Sequence, residues 1–264
     1  MERSPGRRRF LKSVTALTAA SLPPAGVAAD AHSQHPAHVA QAKPPGALAT
    51  QMQAYVYLTP PEAEFVEAAV ARLIPADELG PGAKEAGVAL FIDHQLAGAW
   101  GTMARNYRQG PWPEGTPQQG YQSPLTPQEV YRAAIREVNQ QCTKQYGKAF
   151  AELTATQKDD VLRALDEGKL ALESVSTRLF FDMLWDNTQE GFFADPVYGG
   201  NRDKVGWRLV GFPGVAAVYI QHIDKYNVAY RARPVSIADL QQKIAKVDEH
   251  GHPVHVMLTA NARE

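Results

Sequence analysis

The chain has 264 residues, of which 44% are hydrophobic and 21% are charged, and its formal net charge is −1. Residues 1–29, the N-terminal leader, hold five basic residues and one acidic residue. The rest of the chain has 22 basic and 27 acidic residues, a net charge of −5. This acidic balance argues against a nucleic-acid partner, since phosphate binding needs a basic face. The single cysteine excludes an iron–sulfur cluster, which uses about four thiolates or a close equivalent.

The leader has the pattern of a twin-arginine export signal. It reads "GRRRFLK", followed by the mildly apolar "SVTALTAASL" and the small-residue stretch "AGVAADA". Arg7 and Arg8 form the predicted recognised pair, and Phe10 and Leu11 complete the motif. The apolar run is far shorter than the about 20 residues that span a bilayer, so we predict a cleaved signal peptide. The alternative is a basic, disordered N-terminus.

Residues 30–53 are a predicted disordered linker, because alanine, proline, histidine, glutamine and glycine dominate their composition. His32, His35 and His38 recur there at every third position. A metal site built on them would have to overcome the entropy of ordering the linker, so we assign none.

No cofactor motif accompanies the export signal. The sequence has no G-x-G-x-x-G after a strand pattern, no Walker loop and no C-x-x-C-H haem attachment. The twin-arginine route carries folded proteins, often with a cofactor already bound. We therefore expect no cofactor or metal in this chain, and a partner that carries one.

Three capping boxes mark predicted helix starts. Thr59 is followed three residues later by Glu62, and each side chain would bond a backbone amide that the first turn leaves unpaired. The same start recurs as "LTPQE", with Thr126, and as "LTATQ", with Thr154. Apolar residues at helical spacing follow each box.

Two more amphipathic helices are predicted over residues 84–96 and 174–189. No segment alternates apolar and polar residues as a β-strand would. The predicted fold is mostly α, an irregular helical bundle with long Gly/Pro-rich loops. We expect a helical domain over residues 54–232 and a C-terminal helix and tail over residues 233–264.

The longest of these loops spans residues 98–125, and it is rich in glycine, proline and glutamine. Trp100, Tyr107, Trp112 and Tyr121 punctuate it. Such aromatic residues either pin a loop to the body of the protein or contact a partner, and both interpretations remain open.

The most unusual stretch is the glycine-rich segment, residues 191–214, which reads "GFFADPVYGGNRDKVGWRLVGFPG". Its glycine pair permits a tight turn with positive φ, and the spacing of its glycines does not suit a phosphate-binding loop. We interpret it as a partner contact, because tyrosine, tryptophan and arginine are enriched at interfaces. The predicted contact residues are Tyr198, Gly199, Gly200, Asn201, Arg202 and Trp207.

The alternative is that the glycine-rich segment folds back on the protein's own helices. In that case Asp203 would cap a helix and Arg202 would pair internally. A third interpretation, a catalytic loop, has little support, since no nucleophile is spaced to join Asp77, Asp93 and His94 as acid–base groups. Asp77 more simply caps the turn that follows the first helix.

Two stretches resemble the small (gamma) subunit family of membrane-bound gluconate 2-dehydrogenase. "YLTPPEAEFVEAAVARLIPADELGPGAKEAGVALFIDHQL", residues 57–96, is similar to the opening of that family, and the glycine-rich segment is similar to its C-terminal signature. With the twin-arginine leader, the resemblance covers most of residues 55–230 in order.

The resemblance implies a non-catalytic subunit. Its partners would be a large FAD-binding subunit of the glucose–methanol–choline type and a multihaem cytochrome c subunit anchored in the inner membrane. The small subunit would assist folding of the flavoprotein and its export to the periplasm by the twin-arginine translocase. Gluconate, glucose, fructose, sorbitol and 2-ketogluconate all fit this resemblance, since the substrate pocket would lie in the large subunit. The alternatives are a stand-alone periplasmic binding or scaffold protein and an independent periplasmic enzyme.

Cys142 lies on the apolar stripe of a predicted helix, which favours burial as a small hydrophobe. An unpaired cysteine in an exported protein also suggests a disulfide to the flavoprotein, and this remains the second hypothesis. "HGHPVH", with His250, His252 and His255, could hold a metal, although we identify no carboxylate or thiolate to join them. His222 is expected to be a satisfied surface or core histidine.

Overall fold

The computed structural model describes residues 54–113, 115–215, 219 and 222–258. Within these residues the chain forms eight α-helices, and β-structure is limited to isolated bridges. The helices are α1 (Pro60–Leu73), α2 (Val88–Ala97), α3 (Ala99–Thr102), α4 (Pro127–Tyr146), α5 (Ala155–Asp166), α6 (Thr177–Phe193), α7 (Val205–Val210) and α8 (Ile237–Gln241). The predicted mostly α class is confirmed.

All three predicted capping boxes are present, at the N-termini of α1, α4 and α5. The backbone N–H of Thr59, Thr126 and Thr154 donates to the side chain three residues further on, at 2.8, 2.7 and 3.0 Å. These contacts satisfy amides that the first helical turn leaves without an intrahelical partner.

Two helices differ from their predicted bounds. α2 begins at Val88, four residues late, because Gly87 adopts a left-handed φ of 75° and the preceding residues form turns. α6 begins after Ser176, whose side chain accepts the N–H of Leu179 at 3.3 Å. It then continues past the predicted end into the glycine-rich segment.

Aromatic side chains from α1, α4 and α6 meet in the core. Phe65 packs between Phe150 and Phe180, at ring-centroid distances of 4.6 and 6.3 Å. Tyr131 meets Phe180 edge-on at 5.6 Å, and its buried hydroxyl donates to Asn187 at 2.9 Å. The core therefore joins helices distant in sequence without leaving this hydroxyl unpaired.

Residues 222–258 form the C-terminal arm, and the short helix α8 is the one α-helix in these described residues. Hydrogen bonds and an ion pair attach the arm to the glycine-rich segment and the residue after it. Lys204 forms an ion pair with Asp239 at 2.6 Å. The N–H of Ile237 donates to Asp195 at 2.7 Å, and Val215 donates to the carbonyl of Val235 at 2.7 Å.

The aromatic residues of the 98–125 loop include both an internal anchor and exposed side chains. The Tyr121 hydroxyl donates to the carbonyl of Leu125 at 2.6 Å, which pins the end of the loop. Tyr107, in contrast, is 87% exposed, and Trp100 and Trp112 are also exposed. The loop is thus anchored at its end and presents aromatic surface along its length.

Candidate partner interface

The glycine-rich segment begins inside α6 and passes directly over the start of α2. The N–H of Arg202 donates to the carbonyl of Ala86 at 2.9 Å. A Cβ atom at Gly199 would lie 3.0 Å from Nδ1 of His94, and one at Gly87 would lie 3.3 Å from the carbonyl oxygen of Gly199. The fold therefore brings the two family-like stretches of the sequence together at α2.

Three glycines of the segment allow close approach between backbones and rings. A Cβ atom at Gly191 would lie 2.8 Å from the ring of Phe91. At Gly200 it would lie 2.2 Å from the carbonyl oxygen of Gly191, and at Gly206 it would lie 2.0 Å from that of Phe192. The protein's own chain occupies the space that these glycines leave, so they act in internal packing.

The turn contains an unusual run of left-handed residues. Gly199 has a φ of 102°, as the sequence predicts for one residue of the glycine pair. Asn201, Asp203 and Lys204 also have positive φ, of 47°, 55° and 58°. For residues other than glycine this conformation costs about 1 kcal/mol or more each. The surrounding packing must hold the turn in this shape.

Three of the predicted contact residues, Gly200, Asn201 and Trp207, lie inside the protein. Asn201 is 0% exposed; its amide donates to the carbonyl of Ala194 at 2.8 Å, and its side-chain oxygen accepts the N–H of Gly206 at 2.8 Å. Trp207 is also buried, and its indole N–H donates to the carbonyl of Phe193 at 2.7 Å. These two side chains brace the turn from within.

Tyr198 and Arg202 lie at the surface of the same turn. Tyr198 is 53% exposed, and Arg202 is exposed as well. Among the described residues, no carboxylate lies within ion-pair distance of the Arg202 guanidinium, so it has no internal ion pair there. Whether this face meets a partner stays a prediction.

Next to the turn, a buried carboxylate on α2 holds the first described residues of the chain. Asp93 is 0% exposed and accepts three backbone N–H groups, from Val56 at 2.7 Å, Tyr57 at 2.9 Å and Leu58 at 2.8 Å. Because its oxygens bind backbone amides, the carboxylate acts as a structural anchor. No local pattern indicates this role, since the contacting residues lie more than 30 positions away.

Tyr55 continues this attachment. Its hydroxyl donates to Glu67 on α1 at 2.7 Å. Burial raises the pKa of the Tyr55 phenol, and the carboxylates of Glu67 and Asp93 raise it further. The positive charge of Arg202 acts in the opposite direction and lowers this pKa.

Family comparison agrees with this geometry. Residues 60–214 match the family model described as gluconate 2-dehydrogenase subunit 3. The chain belongs to the gluconate 2-dehydrogenase subunit 3 family. The match begins at the first residue of α1 and ends at the last glycine of the glycine-rich segment, while the C-terminal arm lies beyond it. No curated protein matches the chain, and no solved structure does.

Cys142 of this subunit 3 protein lies in the core. The thiol is 1% exposed on α4, and burial raises its pKa to about 11. Both properties lower the reactivity of the thiol, because the nucleophilic form is the thiolate. The disulfide to a partner stays a prediction, and in this conformation the sulfur is not at the surface.

The acid–base candidates have separate structural contacts. Asp77 accepts the N–H of Leu79 at 2.9 Å and so caps the turn after α1, as expected. His94 packs against Gly199, and Asp93 holds the chain before α1.

The histidines near the C-terminus are divided between two places. His255 contacts the Tyr230 hydroxyl at 2.7 Å through Nδ1 and donates from Nε2 to the carbonyl of Val215 at 2.8 Å. His252 instead lies 3.3 Å from Asp248, in the turn that also holds His250. His222 packs edge-on against Tyr230 at 4.9 Å. The described residues contain no group of three or more side chains able to hold a metal.

The predicted export motif, with Arg7, Arg8, Phe10 and Leu11, lies outside the described residues, as do His32, His35 and His38. Of the helices in the described part of the chain, none combines the length and the apolar character needed to cross a bilayer.

Proposed function

We propose that this chain is the non-catalytic small subunit of a periplasmic, FAD-dependent dehydrogenase complex of the gluconate 2-dehydrogenase type. It assists folding and twin-arginine export of the flavoprotein subunit and stabilises the assembled complex. Membership in the subunit 3 family supports a place in a multi-subunit dehydrogenase. The specific partners are a large FAD-binding subunit of the glucose–methanol–choline type and a multihaem cytochrome c subunit at the inner membrane.

The observation that carries this proposal is how the glycine-rich segment is built. The space beside Gly191, Gly200 and Gly206 is filled by the protein's own backbone and by Phe91, and the buried polar groups of the segment bond to the same chain. A ligand pocket would leave such groups directed at open space. The segment instead forms a braced turn that presents Tyr198 and Arg202, two residue types enriched at protein interfaces.

The proposal assigns a different task to each subunit. The small subunit supplies the export signal, with Arg7 and Arg8 as the recognised pair, and the flavoprotein travels with it as a folded passenger. FAD belongs to the large subunit and haem c to the membrane-anchored subunit. This chain would reach the inner membrane through the complex.

Purification of the full chain from its native host, carrying a C-terminal tag, tests the proposal. We expect a large chain with the visible absorption bands of a flavin to co-purify with the wild-type protein. A colourless chain that elutes alone at low salt would contradict the proposal and favour the stand-alone scaffold protein.

Matched variants locate the contact. Tyr198→Ala with Arg202→Ala should lower the yield of co-purifying flavoprotein at least about tenfold, since both side chains are already exposed and the turn is braced by others. Arg178→Ala is the control, because this exposed arginine lies about 20 Å along α6 from Gly191. Equal yields from the double variant and the control would exclude this face as the contact.

A further inference from the structure

The first described residues of the compact domain are held unusually firmly. Residues 55–57, the tether root, are where the predicted linker joins the helices. Asp93 binds the amides of Val56 and Tyr57, and Glu67 binds the hydroxyl of Tyr55. The Tyr57 hydroxyl donates to a carbonyl in α4 at 2.9 Å, and a guanidinium from α4 lies 4.4 Å from its ring centroid. Three helices therefore hold residues 55–57 in place.

This place adjoins the surface of the glycine-rich segment. His94, which packs against Gly199, is the immediate neighbour of Asp93 on α2. The backbone N–H of Arg202 donates to the carbonyl of Ala86, so all these contacts fall between positions 86 and 94. The influence of Arg202 on Tyr55 is consistent with the same proximity.

The exposed groups at this junction have a mixed chemistry. Val56 has a fixed backbone, yet its side chain is 72% exposed. Tyr198 supplies an exposed aromatic ring, and the Arg202 guanidinium lacks an ion pair to any described carboxylate. A complementary partner surface would place a carboxylate opposite the arginine and apolar groups opposite the valine and the ring.

We infer that the tether root is part of the surface that binds the flavoprotein subunit. This inference rests on the proposed function and adds Tyr55, Val56 and Tyr57 to the contact. The occupant is the large subunit, with a carboxylate directed at Arg202.

Site-specific photo-crosslinking in the full chain, co-expressed with the flavoprotein subunit, tests the inference. A benzophenone amino acid replaces Val56, Tyr198 or, as a control, Lys144. Lys144 is exposed in the last turn of α4, about 24 Å along the helix from Gln128, whose carbonyl binds Tyr57. We expect crosslinks to the large subunit from positions 56 and 198, and at least about tenfold less from position 144.

The outcomes separate the two proposals. A crosslink from position 198 without one from position 56 would overturn the inference and leave the proposed function intact. A crosslink from position 56 to a second copy of this chain, or equal yields from positions 56 and 144, would also overturn it. If no large subunit co-purifies with the wild-type chain, the proposed function itself fails. As a second variant, Val56→Asp should weaken binding of the large subunit at least about tenfold, while Lys144→Asp should leave it unchanged.

Discussion

Replacing Asp93 by alanine would test how strongly the start of the domain is anchored. The buried carboxylate accepts three backbone N–H groups at 2.7–2.9 Å. A hydrogen bond to a charged group contributes about 1.5–3 kcal/mol, but two of these amides regain water once the segment lifts away. The buried N–H of Leu58 loses its partner in a less accessible place. We therefore expect Asp93→Ala to lower the free energy of unfolding by about 2–4 kcal/mol.

Asparagine at the same position gives a graded result. It keeps one oxygen for the amides of Tyr57 and Leu58, which share Oδ1, but it turns an NH₂ group towards the N–H of Val56. We expect a loss of about 1–2 kcal/mol. The assay is urea unfolding of the full chain followed by tryptophan fluorescence, in which 2–4 kcal/mol corresponds to a midpoint shift of about 1 M.

Asp182→Ala is the matched control for this series. Asp182 is exposed and pairs with Arg178 one turn earlier on α6 at 2.8 Å. Such surface pairs contribute little to stability, so the urea midpoint of Asp182→Ala should match that of the wild type. If Asp93→Ala unfolds at the same urea concentration as Asp182→Ala, the three amide contacts add nothing and the anchoring argument is refuted.

Three further predictions concern the packing, the arm and the thiol. Gly206→Ala should lower the free energy of unfolding by about 2 kcal/mol or more, because the added Cβ atom would overlap a backbone carbonyl. Gly147→Ala is the control: it has open space and only a positive φ to overcome, so it should cost about 1 kcal/mol. Equal costs for the two variants would contradict the packing argument. Burial raises the pKa of Asp239, but hydrogen bonds, foremost from Lys204, outweigh burial, so the pKa in the folded state is lower than in the unfolded state. The contribution of the ionised Asp239 to stability is therefore present above about pH 4 and disappears as the pH falls through the lower folded-state pKa. The drop in urea midpoint between about pH 5 and pH 3 should therefore be smaller in Asp239→Asn than in the wild type, and an equal drop would remove this ion pair as a cause. At about pH 8 the Cys142 thiol should be alkylated at least about 100-fold more slowly in the native chain than in urea, and rapid native alkylation would contradict its burial.

The helix starts were readable in the sequence because their causes are local. Each capping box joins a threonine to a carboxylate or amide three residues away, and the apolar residues that follow define the buried face. The late start of α2 was harder to predict from the sequence. The left-handed Gly87 lies against Arg202, which is more than 100 positions further along the chain.

At the candidate site, the sequence likewise predicted the local backbone of the glycine-rich segment but not the burial of its side chains. Its composition predicted a tight turn, and Gly199 has the positive φ that such a turn needs. Composition did not tell which of its polar and aromatic side chains would be buried. Asn201 is a polar residue that a sequence argument places at the surface, yet two backbone hydrogen bonds make its burial favourable.

The sequence by itself determined the helical class, the capping boxes and the relation to the subunit 3 family, because these depend on residues close together in the chain or on long motifs. Only the tertiary structure decided that Trp207 faces inward while Tyr198 faces solvent, and that Asp93 holds the chain ahead of α1. The positions of Trp207 and Asp93 each depend on a backbone group supplied by another part of the chain. A hydrogen bond between distant residues has no local periodicity, so it becomes visible only when the helices have packed.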